Sequence, residues 1–273
     1  MKIALTELTV WWFRALSVGV GAAGLLLIAA ALGLRVRPRR ADLGPLLVCA
    51  AFNILGWHVL TAYGVSQMAA GRASIIAFTM PVWASLLAAA LLGEPITRWT
   101  VAGLVLGLGG LAALIGPDLA ALGAAPVGAL FMLGAAMSWA TGTVLFKRFA
   151  IGLPVASAIG WQLALGAGVI TAVAAALEPP PDLAALSGRA LAALAYLFAL
   201  PMIYCQWAYF SVVRLFPAAV AAIGTLSVPV VGVLSSALLL GEPIRAHDLA
   251  ALALIFAALF TVLVAPALAR PRP

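Results

Sequence analysis

Leu91-Leu92-Gly93-Glu94-Pro95-Ile96 returns as Leu239-Leu240-Gly241-Glu242-Pro243-Ile244, 148 residues later. The same offset carries Pro81 onto Pro229, Val82 onto Val230 and Leu86 onto Leu234. Between 73–115 and 221–263 about sixteen of 43 positions are identical. Richness in Ala and Leu raises that figure, but a shared hexapeptide with a registered proline is hard to obtain from composition alone. The chain therefore reads as two copies of one module.

The medium of that module follows from composition. Hydrophobic residues are 66% of the 273 and charged residues 8%, against roughly 25% charged in soluble domains. Mean hydropathy is +1.19. Such a chain cannot clothe itself for water, so lipid is its solvent. In lipid only helices and closed barrels satisfy the backbone, and a spanning helix needs about 20 apolar residues. The apolar runs have helix length, not the alternating ten-residue signature of a barrel. Nine spans are expected: Leu8–Leu34, Leu43–Ser66, Ala73–Leu92, Trp99–Gly116, Val127–Phe146, Val155–Leu177, Ala190–Val213, Ala218–Leu240 and Leu249–Ala265. Turn chemistry separates them, as in Gly116-Pro117-Asp118 and Glu178-Pro179-Pro180-Pro181-Asp182. The first run is too long for a signal peptide and leads into Arg35, Arg37, Arg39 and Arg40 instead of a cleavage site.

The net charge of +7 lies in short loops, which suits membrane orientation better than nucleic acid. With the first loop in the cytoplasm, Arg35, Arg37, Arg39, Arg40, Arg98, Lys147, Arg148, Arg214, Arg270 and Arg272 fall inside. Lys2, Arg72, Arg189 and Arg245 fall outside. The C-terminus is then cytoplasmic, and the two Gly-Glu-Pro turns lie on opposite sides. That arrangement is an inverted repeat, whose transport site is expected in a midplane cavity between the halves. The halves are 1–116, with four helices, and 126–266, with five, followed by a cytoplasmic tail at 267–273. Extended backwards, the offset sets Arg14 on Gln162 and leaves Val127–Phe146 without a counterpart. The expectation is a ten-helix plan lacking its first helix, with a start at an internal methionine favoured over a natural nine-helix form.

Two halves of about five helices, Arg14 opening what would be the second helix, and a Pro-then-Gly-Glu-Pro pattern in each half resemble the drug/metabolite transporter superfamily. The nearest branch is the EamA type, similar to YddG-like exporters. The resemblance covers nearly the whole chain and implies an all-α, inverted-repeat helical bundle in the inner (plasma) membrane. It implies efflux of small metabolites, with amino-acid-like compounds foremost. Import or exchange of a nucleoside-like or cofactor-like solute is the alternative.

Particular residues carry the expected chemistry. Asn53, Trp57, His58 and Thr61 recur three to four apart on one helix. At a local offset of 146, Tyr204 matches His58 and Trp207 matches Thr61. Trp139 and Thr143 form a similar stripe. Polar groups at depth face a cavity or a partner helix, so these eight are the candidate substrate pathway. Gln162 is a candidate polar contact. Arg14 reads either as an anchor snorkelling to water or as a contact for a substrate carboxylate. Pro81 and Pro229 are expected mid-helix, each kinking its span and freeing a carbonyl. In the Gly-Glu-Pro turns, Gly93 and Gly241 suit a left-handed helix end, and Glu94 and Glu242 the start of the following helix. All eight acids fall in loops or at helix ends, which points to facilitated or exchange transport, or weak coupling through His58. No catalytic set, metal-ligand spacing or cofactor motif is present. The expected partners are a small-molecule substrate and the bilayer.

Overall fold

A computed structural model describes residues 7–68, 73, 76–115, 126–231, 234 and 246–268. The second Gly-Glu-Pro turn, the turn at 116–118, Lys2, Arg72, Arg245, Arg270, Arg272 and most of the expected tail lie outside the described residues. So do parts of the spans expected at 73–92 and 218–240.

Nine apolar helices are present among the described residues: α1 Val10–Ala31, α2 Arg40–Ser66, α3 Met80–Leu92, α4 Arg98–Ile115, α5 Pro126–Arg148, α6 Val155–Leu177, α7 Gly188–Leu215, α8 Ala218–Val231 and α9 Ala246–Leu263. Five of them (α1, α2, α5, α6 and α7) are long and apolar enough to cross a bilayer. Of the shorter helices, α4, α8 and α9 each adjoin residues outside the described set. Large apolar side chains lie exposed on the helix surfaces, Leu27 at 70% and Leu130 at 69% among them. Water would not tolerate such surfaces; lipid does.

Helix ends follow local chemistry. Gly93 ends α3 in the left-handed conformation, φ +68°, as its sequence position suggests. The Thr97 hydroxyl accepts from the Thr100 amide at 3.1 Å where α4 begins, and Ser187 Oγ accepts from the Ala190 amide at 3.2 Å where α7 begins. Both are side-chain N-caps.

Two departures from α-geometry recur with the sequence repeat. A π-helical segment, Ala51–Gly56, interrupts α2, and another, Phe198–Cys205, interrupts α7. The 148-residue offset carries the first inside the second. Such segments hold well under 1% of residues in proteins, so a registered pair is not a chance feature. The second departure is a break in the helix ahead of each proline. Thr79 Oγ1 donates to the Ile76 carbonyl at 2.6 Å, and Ser227 Oγ donates to the Gly224 carbonyl at 2.8 Å; these residues too are 148 apart.

That break corrects the expectation for Pro81 and Pro229. Neither sits deep in a continuous helix. Pro81 is the second residue of α3, and Pro229 falls in the first turn after the interruption at 225–226 of α8. There the amide hydrogen that proline lacks would have no partner anyway.

The chain divides into two compact units, Met1–His58 with Leu145–Leu215, and Val59–Val144 with Phe216–Pro273. Each takes segments from both sequence halves. In the first unit α1 packs chiefly on α6. Gly19 lies near Ala167, Gly21 against Leu163, and Gly160 against Leu25 and Leu26. Residue numbers rise along α1 as they fall along α6, so the two run antiparallel. In the second unit α4 packs chiefly on α9, with Gly103 against Val262, Gly107 near Ala258 and Gly110 against Ile255 and Ala251. That pair is antiparallel too. Small residues at these contacts let the backbones approach closely, which is how helices associate in lipid.

Candidate functional site

The start of α1, in the first unit, is closed by a carboxylate from beyond α6. Thr9 precedes α1 but makes no side-chain cap. Instead Glu178, just past α6, accepts from the Trp11 and Trp12 amides at 3.1 and 3.2 Å through Oε2. This fills two of the four open donors at the helix start and sets a negative charge on the positive dipole end.

Arg14 lies less than one turn further on. It is 8% exposed, so it does not snorkel to water, and the anchor reading is corrected. Its Nη1 is 3.1 Å from His58 Nδ1 on α2. Arginine only donates, so Nδ1 accepts and the ring hydrogen resides on Nε2.

Asn53 occupies the π-helical segment of α2. Its Nδ2 donates to Gln162 Oε1 on α6 at 2.9 Å, and both side chains are fully buried. Gln162 Nε2 turns back to the Ala158 carbonyl at 3.4 Å. Asn53 Oδ1 has no partner among the described residues. Arg14 and Gln162 are equivalent under the sequence repeat, and each takes a polar side chain from α2. Four of the residues singled out in the sequence thus meet as two pairs in one unit.

The remaining candidates are placed differently. Trp57 is half-buried in the first unit. Thr61 and Thr143 are buried and Trp139 half-buried in the second. Tyr204 and Trp207 are 58% and 42% exposed, their ring centroids 6.0 Å apart. The match to His58 and Thr61, each 7% exposed, does not extend to burial. Sequence reasoning passed over Ser157, whose buried hydroxyl has no partner among the described residues.

It also passed over the work of the acids. Glu94 reaches beyond its own turn. Its Oε2 accepts from the Ala218 amide at 2.9 Å and so caps α8. Asp42 Oδ1 accepts from the Gly152 amide at 3.1 Å, and Oδ2 from the Arg39 amide at 2.9 Å. Glu7 accepts from the Ser187 amide and hydroxyl at 2.7 and 2.6 Å, which holds its carboxyl below the usual carboxylate range. Asp182 accepts from the Ala184 amide. Five acids thus tie backbone amides, four of them across long stretches of chain. For Glu178 and Glu94 the signal that could have shown this is an acid within two residues of a helix end. Among the described residues no cluster of His, Cys, Asp and Glu could hold a metal ion.

These contacts give the first unit one basic end and one acidic end. Arg35, Arg37, Arg39, Arg40, Lys147, Arg148 and Arg214 gather where Asp42 meets Gly152 and Arg214 Nη2 donates to the Ile151 carbonyl. Glu7, Glu178 and Asp182 gather at the start of α1.

Comparisons with known proteins agree with this architecture. The EamA-like transporter family matches residues 1–116 and 126–264. The uncharacterized inner membrane transporter YedA of Escherichia coli K12 is 30% identical over 245 residues, 88% of this chain and 78% of YedA. A probable terminal-alkyne amino-acid exporter of Streptantibioticus cattleyicolor is 36% identical over 95 residues, 35% of this chain and 32% of the exporter. A crystal structure superposes with a TM-score of 0.81 at 19% identity, covering 97% of this chain and 92% of its own, and shows the shared fold. The chain therefore belongs to the EamA-like transporter family, within the drug/metabolite transporter superfamily: it is an all-helical, multi-pass membrane transporter of small molecules and not an enzyme.

Proposed function

We propose that this protein is a secondary transporter of the inner (plasma) membrane that exports small metabolites, amino-acid-like compounds foremost, by alternating access between two inverted repeats. The repeats are the halves 1–116 and 126–266. Their equivalent helices, α1 with α6 and α4 with α9, pack antiparallel, as inversion requires. The basic end of the first unit would face the cytoplasm.

The observation that carries the substrate reading is Arg14, an intramembrane guanidinium held by a neutral imidazole. A buried cation in lipid marks a functional site by default, and a substrate carboxylate is the natural counter-charge. Asn53 Oδ1, an open acceptor on the same helix as His58, suits an ammonium or amide donor. Trp57, in the same unit, belongs to the proposed pathway with them. The named activity of the amino-acid exporter relative points the same way.

Purified protein in vesicles is loaded with amino acids, the matching decarboxylated amines and the methyl esters, and efflux is followed. Wild-type protein is expected to move the carboxylates fastest. Arg14→Gln should lose that preference by about tenfold or more, the scale of one charge-assisted contact. If folded, expression-matched Arg14→Gln keeps the wild-type preference, or if no amino acid moves, the assignment fails.

A further inference from the structure

At the basic end of the first unit a hollow of about 300 Å³ is lined by Phe146, Lys147, Ala150, Ile151 and Arg214. We infer that this hollow binds the phosphate of an anionic phospholipid, a lipid site separate from the transport residues.

Its construction goes beyond what membrane orientation asks of a basic residue. Ala150 follows α5 with φ +45°, a conformation non-glycine residues rarely adopt. That turn brings the Ile151 carbonyl to 3.2 Å from Arg214 Nη2. The guanidinium carbon lies 5.1 Å from the Phe146 ring centroid. Phe146 in turn meets Phe210 edge-on at 4.9 Å, and both rings are fully buried. The cation is thus fixed from below by a carbonyl and a packed aromatic pair. One of its five N–H groups is engaged; no carboxylate reaches it among the described residues. A planar fork with donors to spare matches phosphate oxygens in pairs. Lys147 adds a second cation to the wall.

The surroundings select a lipid. Arg148 is exposed beside the hollow, and the Arg35–Arg40 loop is tied to the same end through Asp42 and Gly152. The carboxylate of Asp42 is spent on Arg35 and two amides. Leu215, next in the chain to Arg214, is 79% exposed. Apolar surface directly beside a phosphate-binding cation fits a headgroup with acyl chains alongside. Basic pockets at membrane interfaces recognise anionic lipids on this principle.

The test counts lipid retained on the full chain by native mass spectrometry, in mixed phosphatidylglycerol and phosphatidylcholine. Wild-type protein should keep phosphatidylglycerol preferentially. Arg214→Gln and Lys147→Gln should each cut that preference about fivefold, the weight of one basic residue at a membrane surface. Arg189→Gln, at the opposite end of α7, should leave it unchanged. Lys147→Gln decides the matter if the Arg214 variant fails to fold. Equal retention of both lipids by wild type, or undiminished preference in the Lys147 variant and any folded Arg214 variant, overturns the inference. So does displacement of the lipid by excess inorganic phosphate, which would assign the hollow to the free anion.

Discussion

Replacing Gln162 with leucine should damage the first unit more than replacing Asn53 with leucine, although each removes the same hydrogen bond. The bond is 2.9 Å long between two fully buried side chains. With Asn53→Leu, Gln162 keeps its bond to the Ala158 carbonyl and only Oε1 is stranded. With Gln162→Leu, Asn53 Nδ2 loses its acceptor, and Oδ1 was already without a partner among the described residues. A buried polar group left unsatisfied costs about 1–3 kcal/mol. Counted against the wild type, where Oδ1 is already stranded, Asn53→Leu exchanges one stranded group for another and Gln162→Leu adds one, so Gln162→Leu should cost about 1–3 kcal/mol more than Asn53→Leu. The double variant removes every stranded group and should recover part of the loss. Coupling between polar partners in membrane proteins averages about 0.6 kcal/mol and reaches about 1.7, and full burial places this pair toward the upper figure. Reversible unfolding in mixed micelles, run as a four-protein cycle, measures all three quantities. A larger loss for Asn53→Leu than for Gln162→Leu, or additive single effects, would refute the reasoning.

Two neighbouring glycines on α4 should answer alanine in opposite ways. A Cβ on Gly110 would stand 2.7 Å from Ile255 Cγ1 and 3.1 Å from the Ala251 carbonyl oxygen, so Gly110→Ala should destabilise by about 1–3 kcal/mol. Nothing lies within 4 Å of a Cβ on Gly109, and Gly109→Ala should stabilise by up to about 1 kcal/mol through helix propensity; equal thermal shifts would contradict the α4–α9 packing. The Glu7–Ser187 tie should loosen in acid. Because the folded carboxyl is held below its ordinary range by the Ser187 hydroxyl and amide, its stabilising contribution is complete above the unfolded value of about 4.3. The contribution then falls away as pH drops through the lower folded value. Glu7→Gln should flatten that part of the acid-unfolding profile, and an unchanged profile would deny the tie any weight.

Much of the candidate site could be read from residue type and spacing. Asn53, His58, Arg14 and Gln162 stand out because polar groups in lipid-length apolar runs are expensive. Their pairing was not readable. Spacing along α2 puts Asn53 and His58 on one helix, but the π-helical segment at 51–56 changes where each points, and no propensity signals it. The prolines show the opposite failure. Hydropathy runs unbroken through 73–92 and 218–240, so Pro81 and Pro229 looked internal. The Thr79 and Ser227 hydroxyl turns are what break the helices first.

Composition by itself determined that lipid is the solvent, because 8% charged residues cannot hydrate a surface, and the length of the apolar runs chose helices over a closed barrel. The duplicated Leu-Leu-Gly-Glu-Pro-Ile likewise pointed to a module that occurs twice. Only the tertiary structure decided which helices lie side by side, with α1 on α6 and α4 on α9 through glycine contacts. It alone decided that Glu178 closes α1 and Glu94 closes α8. Those contacts join residues more than a hundred positions apart, and nothing local in a helix specifies its distant neighbour; close packing and the need to satisfy every buried donor do.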